Sequence, residues 1–300
     1  MKKQTKLVAV LSTAALLAIG ASMTSFAATG WAEEDGTWVY YDRNGDKVTD
    51  KWAKSGNNWY YLDSNGEMAV DTLIEDGDNY YYVDVNGVMA ANQWVAIDNE
   101  DAGDDDEPEH YWYYFQANGK ALKQGDSDTV SLKTVNGKKY AFDEYGAMVA
   151  EWSLDEDDEK KASDTEAQEA ASTASTSEAW EGNGKYAKYT QAWRYFNSVE
   201  DGSRVSKGWF KVVAAEMLNK DKYDDDEDAW YYADGSGKLY AGEFKTIKGK
   251  KYAFRNDGRM LTGLKFIKEG TDDFAGVVAD DDDNHSFDNE DDFLAQASTY

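Results

Sequence analysis

The stretch 51–71, KWAKSGNNWYYLDSNGEMAVD, contains the pattern from which the rest of the chain is built. It predicts a short strand led by Trp52, a turn, and a second strand, WYYL, at 59–62. A further turn, Ser-Asn-Gly at 64–66, leads to a return strand through Met68. Asn-Gly between aromatic and apolar runs is a strong signal for a β-hairpin, because both residues tolerate positive φ. The stretch therefore predicts a hairpin unit.

The unit recurs along the chain. Gly45, Gly66 and Gly87 follow one another at intervals of 21 residues, and a fixed period of this length is typical of a repeat architecture. Of the 11 tryptophans, only Trp180 lies outside two positions of the repeat. The first position, at the head of the leading strand, holds Trp31, Trp52, Leu73, Trp94, Leu132, Trp152, Trp209, Phe244 and Leu264. The second position, which opens the WYY strand, holds Trp38, Trp59, Tyr80, Trp112, Lys139, Trp193, Trp230 and Lys251.

The pattern predicts an all-β solenoid of stacked β-hairpins with repeats of about 20 residues, interrupted by acidic loops. The longer spacings all enter between the leading strand and the WYY strand, which is where outward loops are expected. We predict a signal peptide at 1–27, an N-terminal repeat array at 28–154 and an acidic Ala/Ser/Thr-rich linker or insert at 155–182. A C-terminal repeat array at 183–269 and an acidic tail at 270–300 follow.

The N-terminus has the features of a secretory signal. Lys2, Lys3 and Lys6 precede an apolar run, 7–19, and a small-residue sequence near Ala27. The run is shorter than the roughly 20 residues that a membrane span needs, so we expect cleavage and no membrane insertion afterwards. The chain has no cysteine, so its repeats must stabilise one another by stacking. We expect a secreted, extracellular protein that is associated with the cell wall of a Gram-positive bacterium.

The net charge of −28 bears on the choice of partner. A surface this acidic repels nucleic acid and anionic lipid, and it attracts cations. Solubility of a secreted protein explains the same charge without any partner. Nucleic acid is therefore excluded as a partner, and the oligomeric state stays open.

The aromatic positions are the candidate binding groups. Residues alternate between the two faces of a strand, so one set of rings packs against the neighbouring hairpin and the other stays partly exposed. Much of this aromatic content must be structural, because a lone hairpin is marginal in water. Where hairpins meet, two or three rings can wall a shallow pocket that binds a quaternary ammonium, at about 0.5–2 kcal/mol per face. The same walls can stack on sugar rings.

These residues carry a resemblance to a known family. Gly30-Trp31 with GTWVYYD at 36–42, and Trp52 with WYYLDSNGEM at 59–68, resemble the choline-binding repeat of Gram-positive surface proteins, which is related to glucan- and toxin-type carbohydrate-binding repeats. Similar sequences at 208–209, 230–239 and 250–260 extend the resemblance along most of the chain. It implies a β-solenoid whose ligand sites combine the leading tryptophan, the first aromatic of the WYY strand and an aromatic of the next repeat.

Carried over by position, the resemblance implies a small set of ligand-binding residues. They are Trp31 and Trp38 with Tyr61, Trp52 and Trp59 with Tyr82, Trp94 with Trp112, and Trp209 with Trp230. Lys139 and Lys251 replace the aromatic ring in their repeats, and a lysine there would repel a cation. We expect the live sites to be few, with the partner a cell-wall polymer, either choline-decorated teichoic acid or a glycan.

The sequence does not favour an enzyme. His110 and His285 are the 2 histidines, and both lie beside acidic runs. The carboxylates are concentrated in low-complexity loops, which offer no shaped, partly dry cleft for acid–base chemistry. The acidic runs lack the ligand spacing of known calcium loops. We expect no catalytic residue, no metal site and no cofactor.

We therefore expect a secreted cell-wall-binding repeat protein that attaches noncovalently to the bacterial envelope. Its aromatic pockets would recognise choline-type or carbohydrate groups. The alternative is a structural protein or adhesin that assembles through its repeats without a small ligand.

Overall fold

The computed structural model describes residues 29–99, 102, 108–125, 132–154 and 184–262. The predicted signal peptide, the insert 155–182 and the tail 270–300 lie outside these residues.

The hairpin predicted from the opening stretch is present. Strands β3 (Lys51–Ser55) and β4 (Asn58–Leu62) pair antiparallel, with Trp52 opposite Tyr61. After β4 the chain turns on Asp63, whose carboxylate accepts the amide N–H groups of residues 65 and 67 at 2.8 and 2.9 Å. Gly66 completes this turn with a φ of 77°. The predicted return strand through Met68 is wrong, because Met68 forms only an isolated bridge with Leu62.

The described residues contain eight such hairpins, each a two-stranded antiparallel sheet. The strands are β1 Gly30–Glu34 with β2 Thr37–Tyr41, β3 with β4, β5 Thr72–Asp76 with β6 Asn79–Val83, β7 Gln93–Asp98 with β8 His110–Phe115, β9 Lys133–Val135 with β10 Lys138–Tyr140, β11 Glu151–Leu154 with β12 Trp193–Phe196, β13 Gly208–Val213 with β14 Asp228–Ala233, and β15 Glu243–Ile247 with β16 Lys250–Phe254. The three long insertions enter between paired strands, as predicted: β7 and β8, β11 and β12, and β13 and β14.

One backbone hydrogen bond joins successive hairpins. The acceptor is the backbone carbonyl oxygen of the residue that opens the WYY strand or its equivalent. The donor is the backbone amide two residues after the turn glycine that follows the next hairpin. The Met68 amide donates to the Trp38 oxygen at 2.7 Å, and the Met89 amide donates to the Trp59 oxygen at 2.9 Å. The same bond recurs in Ala121 to Tyr80, Met148 to Trp112, Arg204 to Lys139 and Met260 to Trp230. The all-β solenoid of stacked hairpins is thereby confirmed.

The neighbouring repeat packs closely against the glycine of the second turn. A Cβ on Gly119 would lie 2.5 Å from Sδ of Met89, and one on Gly87 would lie 2.9 Å from Sδ of Met68. A larger residue at either position would force the flexible methionine side chain to move. The positive φ of these glycines, 82° and 76°, is the stronger reason for glycine there.

In seven of the eight described hairpins, an apolar side chain at the position that bridges to the returning chain is buried. These side chains are at most 1% exposed: Leu62, Val83, Phe115, Phe142, Phe196, Ala233 and Phe254. Full burial of a leucine or phenylalanine contributes about 1.5–3 kcal/mol. A hairpin of this size is too small to be stable alone, so these buried side chains and the joining hydrogen bonds contribute to its stability.

The chain divides into two compact units. One comprises Met1–Val95 and Tyr114–Ala121, and the other comprises Ala96–Tyr113 and Leu122–Tyr300. This division does not decide the predicted domain boundaries, which stay a prediction.

Two short helices belong to the second unit, and the repeat pattern did not predict them. They are α1 (Gly184–Ala192) and α2 (Lys220–Asp224), and each precedes the second strand of a hairpin. The side chain of Asn219 caps α2 by accepting the amide N–H of Lys222 at 3.1 Å. Neither helix in the described part of the chain has the length and apolar character needed to cross a membrane.

Candidate binding site

The cluster around Trp52 shows how the hairpins bring aromatic rings together. Trp52 pairs with Tyr61, and Trp59 lies two residues before Tyr61, so all three side chains share one face of the hairpin. The rings of Trp52 and Tyr61 are 5.1 Å apart and nearly perpendicular. Tyr81 of the next hairpin approaches Trp52 from the other side, with 5.0 Å between ring centroids. One indole is thus held between two tyrosines of successive repeats.

The first hairpin repeats this arrangement. Trp31 lies 5.2 Å from Tyr40 in its own hairpin and 5.2 Å from Tyr60 in the next, edge-on to both. Trp38 shares the face of Trp31, because Trp31 pairs with Tyr40.

The hairpin of β13 and β14 brings its predicted pair together. Trp209 and Trp230 meet edge to face at 6.4 Å, and Tyr252 of the following hairpin lies 4.7 Å from Trp209. Edge-to-face pairs of this kind stabilise by about 0.5–1.5 kcal/mol beyond their buried area.

In two predicted groups the structure brings a different tyrosine to the leading tryptophan. Trp31 meets Tyr60 where Tyr61 was predicted, and Trp52 meets Tyr81 where Tyr82 was predicted. Tyr61 lies on the face opposite to Tyr60 and packs on Trp52 within its own hairpin. Alternation along the WYY strand separates Tyr60 from Trp59 and Tyr61, and the structure shows that the middle residue faces the preceding repeat. Ligand binding by the predicted groups stays a prediction.

Three further tryptophans occupy other surroundings. Trp94 lies in β7, 5.2 Å from Tyr114, and Trp112 lies in β8, 5.5 Å from His110. Trp152, which was not among the predicted site residues, is surrounded by Tyr195, Phe210 and Tyr231 at 5.1, 5.9 and 5.1 Å.

Exposure distinguishes these clusters. Trp59 is 40% exposed and Trp230 is 42% exposed, so both indoles present a face to water. Tyr231, in contrast, is fully buried against Trp152, and its hydroxyl has no hydrogen-bond partner among the described residues. Burial raises the pKa of Tyr231 far above its ordinary value. The Trp59 and Trp230 clusters are therefore accessible to a ligand, whereas the ring of Tyr231 is core.

The electrostatics around Trp52 favour a cation. The indole Nε1 of Trp52 donates to a carboxylate oxygen of Asp76 at 3.0 Å, which orients the ring. Burial and then the negative charge of Asp76 raise the pKa of Tyr81. The ammonium of Lys54 lies 5.6 Å from the centre of the Trp59 ring. A positive charge thus already lies within cation–π distance of the exposed indole.

No group of histidine, aspartate or glutamate side chains in the described ranges is arranged to hold a metal ion.

Comparison with known proteins assigns the repeats. The family model of the choline-binding repeat matches residues 28–72 and 48–94, which include both hairpins of the Trp31 and Trp52 clusters. The choline binding domain of Spr1274 from Streptococcus pneumoniae is 30% identical over 32% of this chain and 95% of that domain, with a TM-score of 0.24. The chain belongs to the choline-binding repeat family.

Larger choline-binding proteins are similar over more of the chain. Choline binding protein F from Streptococcus pneumoniae is 23% identical, over 78% of this chain and 58% of that one, with a TM-score of 0.45. The modular autolysin LytC of the same organism, solved with a synthetic peptidoglycan ligand, is 17% identical over 78% of this chain and 38% of its own, with a TM-score of 0.45. The match thus spans less than two thirds of either protein. No curated protein sequence matches the chain.

Proposed function

We propose that this choline-binding repeat protein attaches noncovalently to the bacterial envelope, by inserting quaternary ammonium groups of a cell-wall polymer between the aromatic rings of successive hairpins. The partner is a choline-bearing teichoic acid or another choline-type wall component. The chain acts as an exported binding protein at the cell surface, with no catalytic role.

The observation that carries the proposal is the cluster of Trp52, Trp59 and Tyr81. Its rings come from two adjacent repeats, its outer indole is 40% exposed, and the carboxylate of Asp76 lies beside it. A quaternary ammonium has no N–H group to donate, so ring faces and nearby negative charge are the interactions open to it. The same cluster recurs around Trp31 and around Trp209.

Recurrence explains how weak sites give firm attachment. Two or three ring faces contribute about 0.5–2 kcal/mol each, which places a single site near millimolar affinity. A polymer that presents many ligand groups engages several clusters of one chain, and the second contact then forms at a high effective concentration. The proposal therefore needs no tight single site.

The test is choline binding to the full chain and to a Trp59→Ala variant, measured by calorimetry and by elution from bacterial walls with millimolar choline. We expect wild-type chain to bind choline and to be eluted by it. Trp59→Ala should bind choline about two- to thirtyfold more weakly at this cluster, because it loses one exposed ring face. Tyr145→Ala is the control, since Tyr145 is 56% exposed and belongs to none of these clusters.

Other outcomes would assign the chain to another class. Wall binding that resists choline but is displaced by glycans would make carbohydrate the ligand. Polymerisation that depends on protein concentration and ignores both choline and sugars would favour an assembly protein. Equal choline affinity of Trp59→Ala and wild type would remove the role of the cluster.

A further inference from the structure

A cavity of about 510 Å³ lies in the second unit, where three hairpins come together. Its walls are the turn that follows β9, the chain between β12 and β13, and the start of β13. Among the residues that line it, Lys138, Lys139 and Arg204 are basic and none is acidic. This is unusual in a chain with 59 acidic and 31 basic residues.

The cavity occupies a junction between repeats. The amide of Arg204 donates to the Lys139 oxygen at 2.8 Å, which is the joining bond that links Met68 to Trp38 in the first unit. Lys139 therefore stands where Trp38 stands, and Arg204 stands where Met68 stands. At this junction the aromatic ring and the thioether of the other repeats are both replaced by cationic side chains.

Hydrogen bonds and an ion pair fix the positions of the basic side chains around the cavity. The ammonium of Lys139 donates to the Thr134 hydroxyl at 2.6 Å, a neutral partner that leaves its charge uncompensated at that contact. Lys138 pairs with Asp201 at 3.1 Å. Burial opposes ionisation of Asp201, but hydrogen bonds from Ser203 and Lys138 outweigh it and lower the pKa of Asp201. The carboxylate that pairs with Lys138 thus lies outside the lining of the cavity.

Two neutral residues, Asn197 and Ser203, also border the cavity. The Asn197 amide donates to the Ser203 hydroxyl at 3.0 Å and to Asp201 at 3.2 Å, so the basic side chains are the groups that offer charge to a ligand. Guanidinium and ammonium groups recognise phosphate or carboxylate oxygens. Such a local positive site also offsets the repulsion that the acidic chain exerts on anionic groups.

We propose that this cavity binds an anionic oxygen group, a phosphate or a carboxylate, of the wall polymer or of a soluble ligand. The site shares Trp209 with one aromatic cluster. It works through the charges of Lys139 and Arg204, whereas the clusters work through ring faces.

The test is fluorine NMR of the full chain labelled with fluorotryptophan, because Trp209 also lines the cavity. Its signal is assigned by its loss in Trp209→Phe. Glycerol phosphate and acetate are titrated separately at constant ionic strength. We expect a saturable shift of the Trp209 signal with at least one of them, and an affinity at least about tenfold lower in the double variant Lys139→Gln, Arg204→Met. Response to glycerol phosphate alone assigns phosphate, and response to acetate alone assigns carboxylate.

Two matched variants keep the test decisive. Lys251→Gln removes a lysine from the same repeat position in β16, outside the cavity lining, and should leave the affinity unchanged. Arg204→Met restores the side chain found at the equivalent position 68, so the fold is expected to persist; if the double variant unfolds, Lys139→Gln alone decides. The absence of a saturable shift with both anions, or equal affinity of the variants and wild type, would overturn the proposal. Choline binding by Trp59→Ala is measured separately, so a failure of one proposal can be told apart from a failure of the other.

Discussion

Lys54 lies across the hairpin from Trp59, and its ammonium already lies over the indole. In the first hairpin the equivalent position opposite Trp38 is Glu33. An incoming quaternary ammonium must compete with the lysine in the second hairpin, whereas in the first it meets a carboxylate. The rings of the two clusters are arranged alike, but the charge of the side chain opposite the outer indole differs.

We therefore predict that Lys54→Gln strengthens choline binding at the Trp59 cluster by about two- to fivefold, since an exposed cation–π contact contributes about 0.5–1 kcal/mol. Calorimetric titration of the full chain measures the change. Lys51→Gln is the control, because it alters the net charge equally at an exposed site that pairs with Leu62, whereas Lys54 pairs with Trp59. An unchanged or weaker affinity in Lys54→Gln would contradict the prediction.

At the scale of single side chains, the sequence predicted which residues contribute aromatic rings to the clusters, but not which rings contact each other. The repeat period predicted the positions of the leading indoles, and Trp209 and Trp230 do contact each other. The sequence could not show whether Tyr60 or Tyr61 contacts Trp31, because both faces of the WYY strand carry rings and the pattern does not say which face receives the preceding hairpin. The joining hydrogen bond that decides it is between backbones and leaves no mark on side-chain identity.

The turn after β16 differs from the turns of the other repeats because helical segments cover it. Asp257 is 1% exposed, and its carboxylate accepts from Arg259 at 2.7 Å and from Asn219 at 2.8 Å. The Thr190 hydroxyl at the end of α1 donates to the Asn256 oxygen at 2.6 Å. The inserts of two earlier hairpins thus seal this turn. Their acidic sequences show no helical period, so the sequence did not predict α1, α2 or the buried turn.

We predict that Asp257→Asn lowers the free energy of unfolding by about 3–5 kcal/mol, because it breaks the buried ion pair between Asp257 and Arg259. Urea unfolding followed by circular dichroism measures the loss. Asp78→Asn makes the same change at an exposed turn and should cost less than about 0.5 kcal/mol. A similar cost for the two variants would show that the sealed turn is not special.

The Asp257 carboxylate also makes the stability of this turn depend on pH. Burial alone would raise the pKa of Asp257, but the charge of Arg259 and the hydrogen bond from Asn219 outweigh burial and hold it below its ordinary value. A lowered folded-state pKa stabilises above the unfolded value of about 3.9, and this stability is lost as the pH falls through the folded value. We expect the stability of wild type to fall below about pH 4, and this part of the fall to be absent in Asp257→Asn. Urea midpoints of wild type and Asp257→Asn are measured at several acidic pH values. The same pH dependence in both proteins would contradict the prediction.

Across the whole molecule, stacking buries tyrosines in both units and raises their pKa values. They are Tyr61, Tyr81, Tyr140, Tyr189, Tyr195 and Tyr231. Burial, with Glu151 and Asp228 adding negative charge, raises the pKa of Tyr195 to about 12. In the unfolded chain a tyrosine ionises near pH 10, so the folded state holds its protons longer.

We predict that the stability these tyrosines contribute is full below about pH 10 and is lost as the pH rises through their raised folded-state pKa values, which for Tyr195 is about 12. Denaturant midpoints, with tyrosinate absorbance in parallel, check the coincidence of ionisation and unfolding. Tyr195→Phe should flatten the fall between about pH 10 and 12, whereas a substitution of the exposed Tyr145 should not. Ionisation of most tyrosines before unfolding would show that the stack does not protect them.

The net charge of −28 acts on every binding cluster at once. At about 0.15 M ionic strength the Debye length is about 8 Å, so a cation feels only nearby carboxylates, whereas at about 0.01 M it is about 30 Å and the charges of many repeats reach the site. We predict that choline binds several-fold more tightly at the lower ionic strength. Dimethylbutanol, its uncharged carbon analogue, fits the same rings and should show no such change. Asp76→Asn, which keeps an oxygen for the Trp52 indole, should weaken choline binding but keep most of the salt dependence, because the field belongs to the whole chain. If Asp76→Asn abolished the salt dependence, the acidic repeats and inserts would have no share in capturing the ligand.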